Sequence, residues 1–169
     1  MGGISIWLLI TGLVALAVIG YAIWSARKSA DPDLTGKHGW LFIVGVGLFP
    51  MLAMATLKLE VFSATSASAE GAVEIWMRIL TLATWCMIGI MFVALYNYAR
   101  NARAFSQWYI ASWVCLLAVS VLQTAVVTAY IDSTYAEFAW PEAILILVNA
   151  AIWSVYVLRS RRVANTMVN

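Results

Sequence analysis

Residues 79–99 read ILTLATWCMIGIMFVALYNYA, 21 positions without a charged side chain, and Arg100 and Arg103 close the run. An α-helix rises about 1.5 Å per residue, so a run of this length covers the roughly 30 Å of hydrocarbon in a bilayer. The apolar residues are continuous rather than alternating, which separates the segment from a barrel strand. Four further uncharged stretches flank it: Ile4–Trp24, Gly39–Leu57, Ala104–Ile131 and Ala143–Leu158. The last is short. Pro141 suits a first helical turn, where a missing N–H costs nothing, and counting from it gives 18 residues.

Composition points the same way. Of 169 residues, 64% are hydrophobic and 11% charged, against about 45–50% and about 25% in an ordinary soluble domain. A small soluble body needs a polar coat over its large relative surface, and ten basic with eight acidic side chains cannot supply one. Lipid must cover the rest. The net charge of +2 is too small to suggest nucleic acid, and no basic stripe with interleaved aromatics occurs. Cys86 and Cys115 both lie inside apolar stretches, where cysteine serves as a small buried apolar residue.

The basic residues set the expected orientation. With the N-terminus outside, the inner segments hold Arg27, Lys28, Lys37, Arg100, Arg103, Arg159, Arg161 and Arg162, eight of the ten bases. The outer segments keep Lys58 and Arg78 with six of the eight acids: Glu60, Glu70, Glu74, Asp132, Glu137 and Glu142. A four-helix arrangement would break this alternation. The first stretch has its charges, Arg27 and Lys28, after its apolar core, whereas a signal peptide carries them before it. A retained helix is therefore expected. Trp24, Trp40 and Trp108 would lie at one interface and Trp7, Trp76 and Trp140 at the other, as amphipathic indoles prefer.

The last third of the chain carries a recognisable pattern. A basic turn, Tyr98-Ala-Arg-Asn-Ala-Arg103, leads into Trp108-Tyr-Ile, and the chain ends in Ile152-Trp-Ser-Val-Tyr-Val-Leu-Arg-Ser-Arg-Arg-Val-Ala-Asn-Thr-Met-Val168. Upstream stands His38-Gly-Trp-Leu. Together these resemble the bacterial YdgK-like proteins, also called domain of unknown function 2569, over roughly residues 38–168. The resemblance implies a small bacterial inner-membrane protein with four helices in the matched part. It departs from this chain in two ways: the additional helix within residues 1–30, and His38 where the family has a first glycine. It implies no activity, so no catalytic residue is carried over.

Soluble-enzyme constellations are absent from the sequence: no paired carboxylates in a helix core, no HExxH, no CxxC, no phosphate-binding glycine loop. All eighteen charged residues fall between the apolar stretches or at their ends, which argues against ion-coupled transport. His38, the single histidine, reads as a helix-end residue rather than a metal ligand. Met51, Met54, Met87 and Met91 read as flexible packing.

The second stretch is interrupted by Gly45, Gly47 and Pro50. Proline removes the N–H that would bond the Val46 carbonyl, which makes either a structural kink or a break of the kind that lines a transport site. Gln123 and Asn149 lie about 10–12 Å below the expected outer boundary, with Pro50 at a similar depth and Thr84 somewhat shallower. These four form either a small polar pocket or a clasp between helices. Arg159, Arg161 and Arg162 are placed to hold anionic headgroups at about 1 kcal/mol each. Glu74 and Arg78 have the spacing of a helical ion pair, so the third helix should continue above the membrane from about Ser68.

The expectation is an all-α membrane protein, a bundle of about five transmembrane helices forming a single domain, with the N-terminus outside and the C-terminus cytoplasmic. No enzymatic activity, cofactor or metal is expected. The function expected is that of an accessory or assembly subunit, with the lipid bilayer, anionic lipids and another membrane protein or complex as partners. The alternative is a small transporter or channel acting as a homo-oligomer.

Overall fold

The computed structural model describes Trp24, residues 40–131 and residues 135–167, the side chains of 135–139 excepted. Four long helices follow one another: α1 (Trp40–Ser68), α2 (Ala72–Ala99), α3 (Phe105–Tyr130) and α4 (Tyr135–Arg159), with a short α5 (Arg161–Thr166) after them. Each of the four contains a segment long and apolar enough to cross a membrane; in α4 that segment is Trp140–Arg159. These are the four expected spans that follow residue 38. The first expected span, apart from Trp24, lies outside the described residues, as does His38.

Two boundaries differ from the sequence reading. Helix α1 does not stop at Lys58 but runs ten residues further, to Ser68. Helicity does not require apolarity: once the chain leaves the bilayer, water or side chains can serve the backbone. Here the hydroxyls of Ser63, Thr65, Ser66 and Ser68 fold back onto carbonyls three or four residues earlier. Gly71, at φ 64°, then turns the chain into α2. In α4, Pro141 lies inside the helix rather than in its first turn. It stands seventh, so the ring removes one backbone bond near the start and the helix continues past it. The expected ion pair forms, with Arg78 Nη2 2.6 Å from Glu74 Oε1.

Buried residues recur at alternating intervals of three and four. On α1 they are Leu41, Val44, Leu48, Met51, Ala55, Lys58 and Phe62; on α2, Met77, Leu80, Thr84, Met87, Met91 and Ala94. Phe105, Tyr109, Ser112, Leu116 and Val119 continue the pattern on α3. A mean interval of 3.5 residues keeps one stripe facing a neighbouring helix, the geometry of coiled-coil-like packing. Hydroxyls in this seam are satisfied within their own helices: Thr84 donates to the Leu80 carbonyl at 2.7 Å and Ser112 to Trp108 at 2.9 Å.

Packing joins α1 to α2, α2 to α3, and α3 to α4. The turn between α2 and α3 is a Schellman arrangement, with Asn101 at φ 57°, its N–H on the Tyr98 carbonyl and the Ala102 N–H on that of Asn97. Asparagine tolerates the left-handed region better than most side chains. From this turn an aromatic series climbs α3: Tyr98 to Phe105 at 5.3 Å between ring centres, Phe105 to Tyr109 at 5.5 Å, and Tyr109 to Trp113 at 6.4 Å.

The two glycines of α1 do different things. A Cβ on Gly45 would overlap the Tyr98 ring, whereas one on Gly47 would meet no atom within 4 Å. Tyr98 cannot simply move aside, because its hydroxyl donates to the Leu41 carbonyl at 3.3 Å and its ring packs on Phe105. Gly45→Ala should therefore destabilise the bundle by about 1–3 kcal/mol, the usual cost of overpacking. Gly47→Ala should be close to neutral. Thermal unfolding of both variants in the same detergent is the check, and equal melting temperatures would refute the close-approach role of Gly45.

Candidate functional site

Helices α1 and α4 stand at the two ends of the packed row. They are bridged by side chains: the Trp40 and Trp153 rings, 6.1 Å apart, near one end of the bundle, and Lys58 with Glu142 near the other. Between these two bridges lies a cavity of about 370 Å³, with α3 as its back wall. Its lining is largely apolar and includes Pro50, Met51, Met54, Leu116 and Ile146, with Trp113, Glu142 and Asn149 adding polar groups.

Lys58 is the unexpected member. It is 8% exposed, and its Nζ donates to Gln123 Oε1 at 2.6 Å. The same Nζ lies 3.3 Å from Glu142 Oε1. That is close enough for an ion pair yet out of line for a hydrogen bond, and the buried Oε1 accepts none among the described residues. A buried ammonium is costly unless paired and hydrogen-bonded; here one neighbour supplies the charge and another the lone pair. Three helices thus meet at one cation.

The residues anticipated from sequence are distributed as follows. Pro50 and Asn149 line the same cavity from opposite helices. Gln123 bonds Lys58, and the Asn149 Nδ2 donates back to the Leu145 carbonyl at 2.8 Å, so the two amides take different partners. Thr84 is fully buried in α2 and does not line the cavity. Arg159 and Arg161 are exposed and Arg162 is half-buried. Ser160 caps α5 by accepting the Val163 N–H, and the burial of Val163, Thr166 and Met167 turns the tail back under the bundle. Among the described residues, no three His, Cys, Asp or Glu side chains gather where they could hold a metal ion.

Lys58 and Glu142 escape a reading that sorts charges by distance from apolar runs, because both do follow or precede one. The 3.5-residue spacing carries the missing signal. Lys58 is three residues after Ala55 and four before Phe62, squarely in the α1 seam. Glu142, Ile146, Asn149 and Trp153 repeat at four, three and four along the cavity side of α4.

Replacing Lys58 by Met leaves the Glu142 carboxylate beside an apolar side chain. The expected loss is about 2 kcal/mol, below the roughly 3–5 kcal/mol of a fully buried pair, because the Glu142 side chain is 39% exposed. Adding Glu142→Gln to Lys58→Met should restore much of that loss. A double-mutant cycle on unfolding in detergent measures the coupling, and strictly additive effects would mean that the pair does not hold α1 to α4.

A family model described as protein of unknown function (DUF2569) matches residues 35–168. That interval takes in all four long helices, both bridges and the whole cavity lining. Among curated proteins and among solved structures, none matches the chain significantly. The matched interval covers well over half of the 169 residues, and the chain belongs to the DUF2569 family.

Proposed function

We propose that this protein is a non-catalytic accessory or assembly subunit of a larger complex in the bacterial inner membrane. The observation that carries the reading is the α1–α2 hairpin. From Leu57 the helix continues eleven residues to Ser68, about 16 Å at 1.5 Å per residue. Its far part is polar and exposed, with Glu60, Ser63, Ser68 and Glu70 at the surface. Such a projection gives an otherwise lipid-covered bundle a water-phase contact for a partner. The proposed orientation has five spans, with this hairpin outside and the basic α4–α5 end in the cytoplasm against anionic lipid.

A second reading, a small transporter or channel working as a homo-oligomer, draws support from the Lys58–Glu142 pair beside a cavity lined by Pro50. Ionisable groups within membrane helices commonly mark substrate pathways. Native mass spectrometry of the tagged protein, released from its own membrane in mild detergent, separates the two. A stoichiometric heteromeric complex is expected. A bare homo-oligomer would transfer the assignment to transport, and a monomer alone would remove both.

Orientation has its own test. In a background with Cys86 and Cys115 replaced, Ser68→Cys should react with a membrane-impermeant maleimide in cells with a permeable outer layer. Asn165→Cys should react only after the inner membrane is opened. The reverse pattern would invert the proposed topology.

A further inference from the structure

We propose that a second hollow, between the start of α3, the end of α4 and α5, binds the phosphate headgroup of one anionic phospholipid. The assignment needs neither the accessory role nor the proposed orientation. It places the contact on Arg103 and Ser106, not on the tail arginines alone. The hollow measures about 360 Å³. Arg103 and Ser106 line it from the α3 side, and Val157, Leu158 and Val163 from the α4–α5 side. It lies where the membrane-compatible segments of α3 and α4 both end, the level at which headgroups stand. Arg103 and Leu158 are exposed, so a charged wall and an apolar one are both reachable from outside.

The charges define the ligand. Arg100, Arg103, Arg159, Arg161 and Arg162 belong to this end of the bundle, while the described acids, Glu60, Glu70, Glu74 and Glu142, belong to the other. Basic pockets between membrane helices hold anionic headgroups. The arginines are not equivalent. Arg100 is folded onto α2, donating to the Tyr96 hydroxyl at 2.7 Å with its guanidinium 5.5 Å from the ring centre. Arg159 and Arg161 do not line the hollow. Arg103 does, and among the described residues no hydrogen bond or ion pair engages its side chain or that of Ser106. A guanidinium offers paired N–H donors to phosphate oxygens, and a hydroxyl adds one more. Leu158 opens an exposed apolar stripe that continues up α4 through Val155, Ile152 and Val148. An acyl chain can follow its headgroup along that stripe, which a soluble phosphate cannot use.

Native mass spectrometry of the delipidated full-length protein tests the assignment, in about 0.5 M ammonium acetate, where attraction to exposed charges is screened. One phosphatidylglycerol should bind per chain, about tenfold more tightly than phosphatidylcholine with the same acyl chains. Arg103→Gln should weaken phosphatidylglycerol about tenfold, the effect of one charge-assisted contact. Arg161→Gln, exposed and outside the hollow, should leave the affinity unchanged. Ala164 is an exposed residue of the hollow's α5 wall, so Ala164→Phe should fill the space and abolish binding at an unaltered melting temperature. Arg103→Lys keeps the charge without the paired donors and should also weaken binding, so the test survives if the larger side chain disturbs folding. Soluble sn-glycerol 3-phosphate, lacking acyl chains, should bind at least about a hundredfold more weakly. Equal affinity for the two lipids, or equal losses from Arg103→Gln and Arg161→Gln, would mean a diffuse basic surface and overturn the proposal. Glycerol phosphate binding as tightly as the lipid would overturn it in favour of a soluble ligand.

Discussion

Helices in a bilayer gain little from hiding apolar surface from one another, because lipid tails are as apolar as leucine. Association rests on close packing and on the few polar contacts that lipid cannot supply. In this bundle both requirements meet on the 3.5-residue stripe of α1. Leu41, Val44, Leu48, Met51 and Ala55 pack in it, and the next position belongs to Lys58. A cation at a packing position must find its counterparts on the neighbours. Gln123 of α3 and Glu142 of α4 are those counterparts, so the stripe that packs the first helices also ties in the last.

The rest of the architecture follows from that tie. Helix α4 is the least enclosed of the four: 11% of its span is buried, against 33% in each of the others. It is held by α3 along one side and by two side-chain bridges to α1, an ionic one at one end and an indole pair at the other. Bridges made by long side chains hold helices further apart than interdigitated packing does. The space left between them is the cavity. Gly45 and Gly47, two residues apart on α1, show the contrast within one turn: the first lets Tyr98 of α2 press onto the backbone, the second faces the open space of the cavity.

Much of this is legible in the sequence, and particular residues show where legibility stops. The spans α1 to α3 follow from uncharged runs, and the Glu74–Arg78 pair from a spacing of four. The extension of α1 to Ser68 is not visible to a hydropathy argument, because a helix outside lipid has no need to be apolar. Pro141 looks like a helix start because proline is favoured there, yet six helical residues precede it, since losing a single bond near an end does not stop a helix. For the site, Pro50 and Asn149 were identifiable as irregular or polar residues at similar depth. That they face one hollow depends on the rotation of α1 and α4, which depth does not specify.

By itself the sequence determined the all-helical class, the order and approximate limits of four membrane-compatible helices, and membership of the family whose pattern they carry. These are matters of local composition, because the bilayer demands continuous apolar runs with their backbone bonds satisfied internally. Tertiary structure alone decided that Lys58 is an interior residue, that Gln123 serves it rather than Asn149, and that Pro50 and Asn149 line one cavity. The physical reason is that a charge at the end of an apolar run can extend to the headgroups or turn inward. Which it does depends on whether a neighbouring helix offers a partner at that height, and that partner is 65 residues away in the chain for Gln123.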